Sequence, residues 1–529
     1  MRILKILFIH PPVRLQGKPE DIPFGLSVLA SIAEQEKKQV AILDLNANRV
    51  PLQTVAEEIA LDDYDIIGIG GLSSQYKDIT RIIPICRQIH PDSLILAGGG
   101  FATYMPDKIL QIQPEIDIVC VGEGEETFRE IIQRWPSRDF SKIKGIAYRD
   151  DEGKIIFTEP RPLIPDMDTV PYPAYHLLDL EKYFKDSSIV HSKESLIAKR
   201  RIDLIAERGC PRQCTFCTHN GMSRWDQVMF VGKDKLKQLD DEFGFQPIAR
   251  FNSARYVVDH IKFLHENYNI DFCYMLDENL TSNKKRVHEL CDLMIAEGIP
   301  EKIHWGTAGD SASVDDELIH HMKQAGCTFV TYGGESGSDR VLKYDIGKGT
   351  TRQHNQNAVD IMKRQGMEPI MTFMVGNPNE DINDVLETTD FFIKNNILCK
   401  PFICTPYPGT KIFLDYQDMI LGQFDERLVQ IKDLPEGHID KKLIEEWKLE
   451  ALKKFLVALD DADVLSAHVS QVFNHADLLG IQALMYEKDM VRLLKLTHLR
   501  NWPHQDKWKK FCPVCEAKDS LSQLVQIKQ

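Results

Sequence analysis

The chain has 529 residues, too many for one ordinary domain, and its 43% hydrophobic fraction can fill more than one core. Lys+Arg number 64 against 79 Asp+Glu, a formal charge of −15, so no general basic field exists to hold nucleic acid or an anionic membrane. No apolar stretch approaches the roughly 20 residues a spanning helix needs, so neither a membrane span nor a nucleic-acid partner is expected.

The opening MRILKILFIHPP has a basic residue and an apolar run, but the run is very short and Arg14, Lys18 and acidic residues follow. It reads as a first buried strand rather than a signal peptide. The expected location is therefore cytoplasmic, where cysteines serve as metal ligands or free thiols more than as disulfides. Cys86, Cys120, Cys273, Cys291, Cys327, Cys399 and Cys404 sit in apolar contexts and read as buried small residues.

Residues 1 to about 140 alternate short apolar runs with helical patterns: KILFIHPP, VAILDLN, DIIGIGG, SLILAGGG and IDIVCVGEG. Five strands with crossover helices read as an α/β, doubly wound parallel sheet. Three of them run into small residues at their C-terminal ends, where open α/β sheets bind ligands. Gly70, Gly71, Ser73 and Ser74 follow the third strand, Gly98, Gly99 and Gly100 the fourth, and Gly122, Glu123 and Gly124 the fifth. Such residues let a large flat ligand approach the backbone, although glycine is also common in ordinary βα turns. Residues 141–195, with Pro160, Pro162, Pro165, Pro171 and Pro173 close together, read as a linker packed along the surface.

From 196 to 424 the pattern restarts, with IDLIAERGC, IDFCYMLDE, KIHWGTAGD, TFVTYGGE, EPIMTFMVG and CKPFICTPYP as six apolar runs separated mostly by amphipathic helices. Ser253 is a plausible N-cap for one helix, with Val257, Ile261 and Leu264 on a single face. Six β/α units suggest a partial barrel with its active site at the C-terminal strand ends. After the first run comes CPRQCTFC, in which Cys210, Cys214 and Cys217 share one loop. Chance would give about 0.006 such triplets among 12 cysteines in 529 residues. Three thiolates that close can grip three corners of a four-iron, four-sulfur cube and leave the fourth iron open to a ligand. Phe216 could cover the cluster and offer an apolar face. A zinc site with His219 completing a Cys3His set is the alternative.

At these residues the chain resembles the radical S-adenosylmethionine (SAM) superfamily, whose signature is Cys-x3-Cys-x2-Cys with an aromatic before the last cysteine. The resemblance implies a 4Fe–4S cluster whose open iron is chelated by SAM, cleavage of SAM to a 5′-deoxyadenosyl radical, and an electron donor such as flavodoxin or ferredoxin. Further elements resemble the cobalamin-dependent branch: PFGLSVLA (Pro23 to Ala30), LILAGGGFAT, VCVGEGEETF, the linker GIAYRDDEG with MDTVPYPAYHLLD, YGGESGSDRVL (Tyr332 to Leu342) and TPYPGT (Thr405 to Thr410). Together these cover roughly residues 1 to 420. The fold implied is a Rossmann-like cobalamin-binding domain, a TIM-like partial (β/α)6 radical SAM barrel and a helical C-terminal domain. By the same resemblance, Gly333, Gly334 and Glu335 form the family's Gly-Gly-Glu contact to SAM, and the turn Gly376, Asn377, Pro378 contacts adenine. Ser73, Ser74, Gly98, Gly99, Gly122, Glu123 and Gly124 would line the cobalamin site. The chain departs from the pattern in three places. The loop after the second strand, Asp44 to Arg49, has no histidine, which counts against a histidine ligand to cobalt. Phe101 stands where many relatives have His, and Asp310 near a place where relatives have Arg.

Asp277 and Glu278 end the second barrel strand and could hold a polar substrate group or relay protons, although capping explains such clusters too. Between Cys217 and Ser253 a long stretch with Arg224, Trp225, Asp226 and Phe245 could form a substrate lid. Residues 425–529 are helical in pattern: Asp440 can cap a helix with Ile444, Trp447, Ala451 and Phe455 as a stripe, and Cys512 and Cys515 form half of a zinc or rubredoxin-like site. The functional expectation is a cobalamin-dependent radical SAM C-methyltransferase acting on a small-molecule or lipid-like substrate. A radical cyclase or rearrangement enzyme like the magnesium-protoporphyrin ester cyclase, and a cobalamin-binding sensor, are the rivals. A tRNA methylthiolase would need three further N-terminal cysteines and a basic tail that this chain lacks.

Overall fold

The computed structural model describes residues 3–13, 19, 21–51, 54–72, 75–184, 192–219, 249–380, 382–395, 397, 402–404, 407–413 and 415. They fall into two compact units, one within Met1–Ala308, His320–Thr328 and Pro406–Lys441, the other within Gly309–Ile319 and Phe329–Thr405. Ser73, Ser74, the candidate lid, the C-terminal helical region, Cys512 and Cys515 lie outside the described residues. Among the described residues no helix is long and apolar enough to cross a membrane.

In the first unit the five N-terminal apolar runs become β1 (Lys5–His10), β2 (Gln39–Asp44), β3 (Ile66–Gly70), β4 (Leu94–Gly98) and β5 (Ile118–Cys120), all parallel in the order β2-β1-β3-β4-β5. The chain reverses direction across the sheet between β1 and β3, and a crevice opens outside such a switch point. Ile6 to Ile9 are almost wholly buried, as a strand covered on both faces requires. Inside β3, a Cβ on Gly68 would lie 2.7 Å from the Phe8 ring, so a bare backbone there lets the aromatic core of the neighbouring strand pack. The expected linker begins differently. Its first part forms β6 (Ile146–Arg149) and β7 (Ile155–Phe157), a hairpin added antiparallel beyond β5.

The same unit carries β8 (Arg201–Leu204), β11 (Phe272–Met275) and β12 (His304–Gly309), with β8, β11 and β12 parallel in that order. A short antiparallel pair, β9 (Glu207–Arg208) and β10 (Arg250–Phe251), stands beside them. Helix Ala254–Tyr268 begins as expected: Ser253 Oγ accepts the Tyr256 N–H at 3.1 Å, and Val257, Ile261 and Leu264 are buried, joined by His260. The second unit holds β13 (Cys327–Glu335) from Phe329 onward, β14 (Ile370–Val375) and β15 (Phe402–Ile403), all parallel, with helices Arg352–Arg364 and Ile382–Asn395. All six barrel runs are thus strands, within an α/β fold.

Candidate cofactor sites

A cavity of about 480 Å³ opens at the C-terminal ends of β1, β3, β4 and β5. Its floor is nearly bare backbone: Gly70, Gly98, Gly99, Gly122 and Gly124 line it, and Gly99 (φ +79°) approaches Gly71 so closely that a Cβ would lie 2.8 Å from the Gly71 carbonyl oxygen. Below, an apolar slot runs between the sheet and helix Phe24–Gln35, lined by Phe8, Val28, Leu96 and Phe128. Residues Arg208, Asn252, Tyr256 and His260 complete the wall. Bare strand ends above a deep apolar slot fit a large flat ring with an appended base, which is the shape of cobalamin.

Glu123 lines this cavity, but both its oxygens are taken. Oε1 accepts from Arg250 at 2.7 Å and Arg208 at 3.2 Å; Oε2 accepts from Arg250 at 2.9 Å and the Ile164 N–H at 2.9 Å. Burial pushes this carboxyl up, and the two guanidiniums and the backbone donor more than offset that, holding it below 4.5. Arg208 also pairs with Glu125. Glu123 therefore clamps β9 and β10 to the N-terminal sheet. The sequence signal for it, a lone Glu between two glycines, could not show the arginines.

The cysteine loop follows β9 and is tied down from several directions. Asp277 Oδ1 accepts the N–H groups of Ala206 and Glu207 at 2.7 and 3.1 Å, and Glu207 Oε1 accepts the Asn279 N–H at 2.5 Å. Asn279 Nδ2 and the Arg212 N–H point at Cys210 Sγ at 3.8 and 3.5 Å, donors that favour a thiolate there. The Cys217 N–H donates to the Cys214 carbonyl at 3.1 Å. From the end of the short helix Gly100–Thr103 that follows Gly99, the buried Tyr104 donates its hydroxyl to the Thr218 carbonyl at 2.7 Å, and the Ile412 N–H donates to the Thr215 carbonyl at 3.0 Å. None of the three cysteines is in a disulfide; Cys214 is buried and Phe216 half-buried. His219, the alternative zinc ligand, instead places Nδ1 2.6 Å from Glu278 Oε1.

Asp277 Oδ1 thus holds the backbone that leads into the cysteine loop. The residue's other oxygen and Glu207 Oε2 are buried with no hydrogen-bond partner among the described residues. Burial pushes the Asp277 carboxyl up to about 7; Ala206 and Arg286 pull the other way and Glu278 adds to the rise. Glu207 is likewise raised, by burial first and then by Asp277.

In the second unit the Gly-Gly-Glu element sits on a strand irregularity: the β13–β14 register shifts between Gly333 and Glu335, and Glu335 adopts φ +60°. Lys348 Nζ lies 2.9 Å from Glu335 Oε1 and 2.5 Å from the Gly333 carbonyl oxygen. A Cβ on Gly333 would meet the Glu335 oxygen at 2.1 Å, so the glycine makes room for this ion pair. Sequence reasoning missed Lys348, which is 13 residues from its partner in the chain. After β14, Glu380 Oε2 closes the turn by accepting the Gly376 and Asn377 N–H groups at 2.5 and 3.1 Å. Pro378 lies in that turn, and both polar atoms of the Asn377 amide are buried with no hydrogen-bond partner among the described residues.

Residues 17–132 match the B12 binding domain and residues 204–392 the Radical SAM superfamily. An uncharacterized methyltransferase of Pyrococcus horikoshii is 31% identical over 422 residues, which cover 78% of this chain and 83% of that protein. The anaerobic magnesium-protoporphyrin IX monomethyl ester cyclase of Cereibacter sphaeroides is 25% identical over 429 residues, covering 79% of this chain and 64% of the cyclase. The structure of the radical SAM methyltransferase TsrM from Kitasatospora setae, with cobalamin and a 4Fe–4S cluster bound, superposes with a TM-score of 0.61 at 16% identity, covering 79% of this chain and 78% of that one. The fold is that of an enzyme with a cobalamin-binding domain followed by a radical SAM domain. The chain belongs to the cobalamin-dependent radical SAM enzymes, whose cofactors are cobalamin, SAM and a 4Fe–4S cluster.

Proposed function

We propose that this enzyme is a C-methyltransferase that acts on an unactivated carbon of a small-molecule or lipid-like substrate. The supporting observation is the bond from Tyr104 to Thr218: the end of the short helix that follows the glycines of the cobalamin cavity is fastened one residue beyond Cys217, so a methyl carrier and a radical source would be held side by side. The Pyrococcus relative, named a methyltransferase, supports the same reading.

In this reading Cys210, Cys214 and Cys217 hold the cluster, with the donors on Cys210 keeping it a thiolate and Phe216 covering it. Glu335, oriented by Lys348, takes the SAM ammonium, Gly333 and Gly334 let it approach, and Asn377 beside Pro378 offers its amide to the adenine edge. Gly98, Gly99, Gly122 and Gly124 seat the corrin, and Glu123 fixes the wall behind it. When bound, the cluster and SAM supply one-electron chemistry at a C–H bond and cobalamin supplies a transferable methyl group. The chain's own part is to align these groups and exclude water; a flavodoxin- or ferredoxin-like protein delivers the electron.

A second reading, oxidative cyclisation without methyl transfer, is favoured by the likeness to the cyclase. The two separate without knowledge of the substrate. The anaerobically loaded enzyme, given a reductant and SAM labelled in its methyl group, is expected to move label onto cobalamin and release S-adenosylhomocysteine. With iron and cobalamin both present, absence of label on cobalamin would rule out the methyltransferase and leave the cyclase reading.

A further inference from the structure

One titratable side chain in the cobalamin cavity has no place in the reading so far. His10, the last residue of β1, lines the cavity and is otherwise buried. In the sheet it stands in register with Asp44, the last residue of β2, and its Nδ1 lies 3.1 Å from Asp44 Oδ1. Asp44 is itself held on three sides. Oδ1 also accepts the Ala47 N–H at 2.9 Å, and Oδ2 accepts the Tyr183 hydroxyl at 2.5 Å. Burial pushes the Asp44 carboxyl up, but the hydrogen bond and charge of His10, with Tyr183 and Ala47, hold it below 3.8.

An anionic carboxylate can only accept, so the ring proton of a neutral His10 sits on Nδ1 and Nε2 carries the lone pair. Among the described residues none hydrogen-bonds to Nε2. The surrounding turn is fixed as well: Gln75 Nε2 donates to the Pro11 carbonyl at 2.7 Å, and the Val13 N–H donates to Asn46 Oδ1 at 3.1 Å. An imidazole whose Nδ1–H is anchored to a carboxylate, with Nε2 left bare at a cavity wall, is the arrangement by which proteins present histidine to a metal. The carboxylate fixes the tautomer and raises the basicity of the ligating nitrogen.

We propose that His10 is the protein's axial ligand to the cobalt of bound cobalamin, supplied from the end of β1 and set by Asp44 and Tyr183. The inference rests on the cavity being the cobalamin site. It reverses the expectation drawn from the loop after β2: the end of β2 contributes the carboxylate, and the histidine comes from the neighbouring strand.

The test is the electron paramagnetic resonance spectrum of the cob(II)alamin-loaded full chain, with cobalt content measured on the same sample. One 14N ligand splits each cobalt line into three, and one 15N ligand into two. Protein grown on 15N-histidine and loaded with unlabelled cofactor is expected to show the two-line pattern, which the cofactor's own benzimidazole could not produce. His10→Ala is expected to retain cobalamin and lose the splitting. The proposal is overturned if loaded protein shows no nitrogen splitting, if the pattern stays three-line on histidine labelling, or if the two-line pattern survives in 15N-histidine-labelled His10→Ala. Should His10→Ala fail to fold, the labelled wild-type spectrum decides alone. Absence of cobalt from the wild-type protein would overturn the cobalamin assignment itself, an outcome read from metal content rather than from the spectrum.

Discussion

Replacing Tyr104 with Phe removes one oxygen and little else. The ring is 5% exposed and stays packed against Gly409, where a Cβ would lie 2.3 Å from it, while the bond to the Thr218 carbonyl is lost. A net hydrogen bond is worth about 1 kcal/mol, and leaving the partner carbonyl unsatisfied brings the cost to about 1–2 kcal/mol. This cost falls on the segment that carries Cys214 and Cys217 rather than on either sheet. If the cluster is lost when that segment opens, opening becomes roughly tenfold more frequent, since about 1.4 kcal/mol is a factor of ten. The assay is the rate of iron release to a chelator from reconstituted protein, with cobalamin affinity and thermal unfolding followed in parallel. Tyr104→Phe should lose iron about tenfold faster, bind cobalamin like the wild type, and unfold within a few degrees of it. Gly409→Ala, which adds a Cβ at φ +89° against the same ring, should be worse on both iron retention and stability. Unchanged iron release in Tyr104→Phe would refute the idea that this bond holds the cysteine loop.

Two further substitutions test the remaining sites. Lys348→Met strips Glu335 of its ion-pair partner and should weaken SAM binding at least tenfold by equilibrium titration while iron content stays full. Gly98→Ala places a Cβ whose nearest neighbour is Cys120 Cβ at 3.8 Å, an ordinary contact, so the melting temperature should hold while cobalamin affinity falls about tenfold or more; retained affinity would mean that the corrin does not seat on Gly98.

The elements and the cysteine loop were legible because their signals are local: apolar runs of strand length, glycines just past them, and three cysteines within eight residues. What escaped the sequence is pairing across distance. Ile146 to Arg149 looks like part of a proline-rich linker until β5 is seen to offer it an open edge. His10 reads as the end of a buried run, and only the parallel register of β1 with β2 brings Asp44 to it. Lys348 lies beyond the helix Val341–Ile346 and returns to Glu335 only through the fold. In hindsight a histidine ending the first strand beside an aspartate ending the second was a readable juxtaposition, because strand ends at a switch point face one cavity.

Asp44 and Asp277 show why residue type alone could not assign roles. Asp44 ends β2 and Asp277 stands two residues past β11; both are about 4% exposed and both accept backbone N–H groups, yet their carboxyls shift in opposite directions. Asp44 faces His10 and Tyr183 and is held below 3.8; Asp277 faces Glu207 and Glu278, with Arg286 nearby, and burial carries it to about 7. For Asp44 the folded value is the lower one, so its contribution to stability is present above 3.8 and lost as pH falls through the folded value. For Asp277 the folded value is the higher one. Its contribution is full below 3.8 and is lost as pH rises through about 7, where the folded state must release a proton it holds tightly. Asn mimics a protonated carboxyl and keeps the oxygen that accepts from Ala206 and Glu207. Asp277→Asn should therefore leave stability near pH 5 little changed and flatten its fall between pH 5 and 8, as measured by denaturant unfolding of the apoprotein. Asp44→Asn should do the reverse, costing stability at neutral pH because His10 and Tyr183 lose their anion. If Asp277→Asn destabilised the protein as strongly at pH 5 as at pH 8, the carboxyl would have to be ionised throughout, and the neutral acceptor assigned to it beneath the cysteine loop would be wrong.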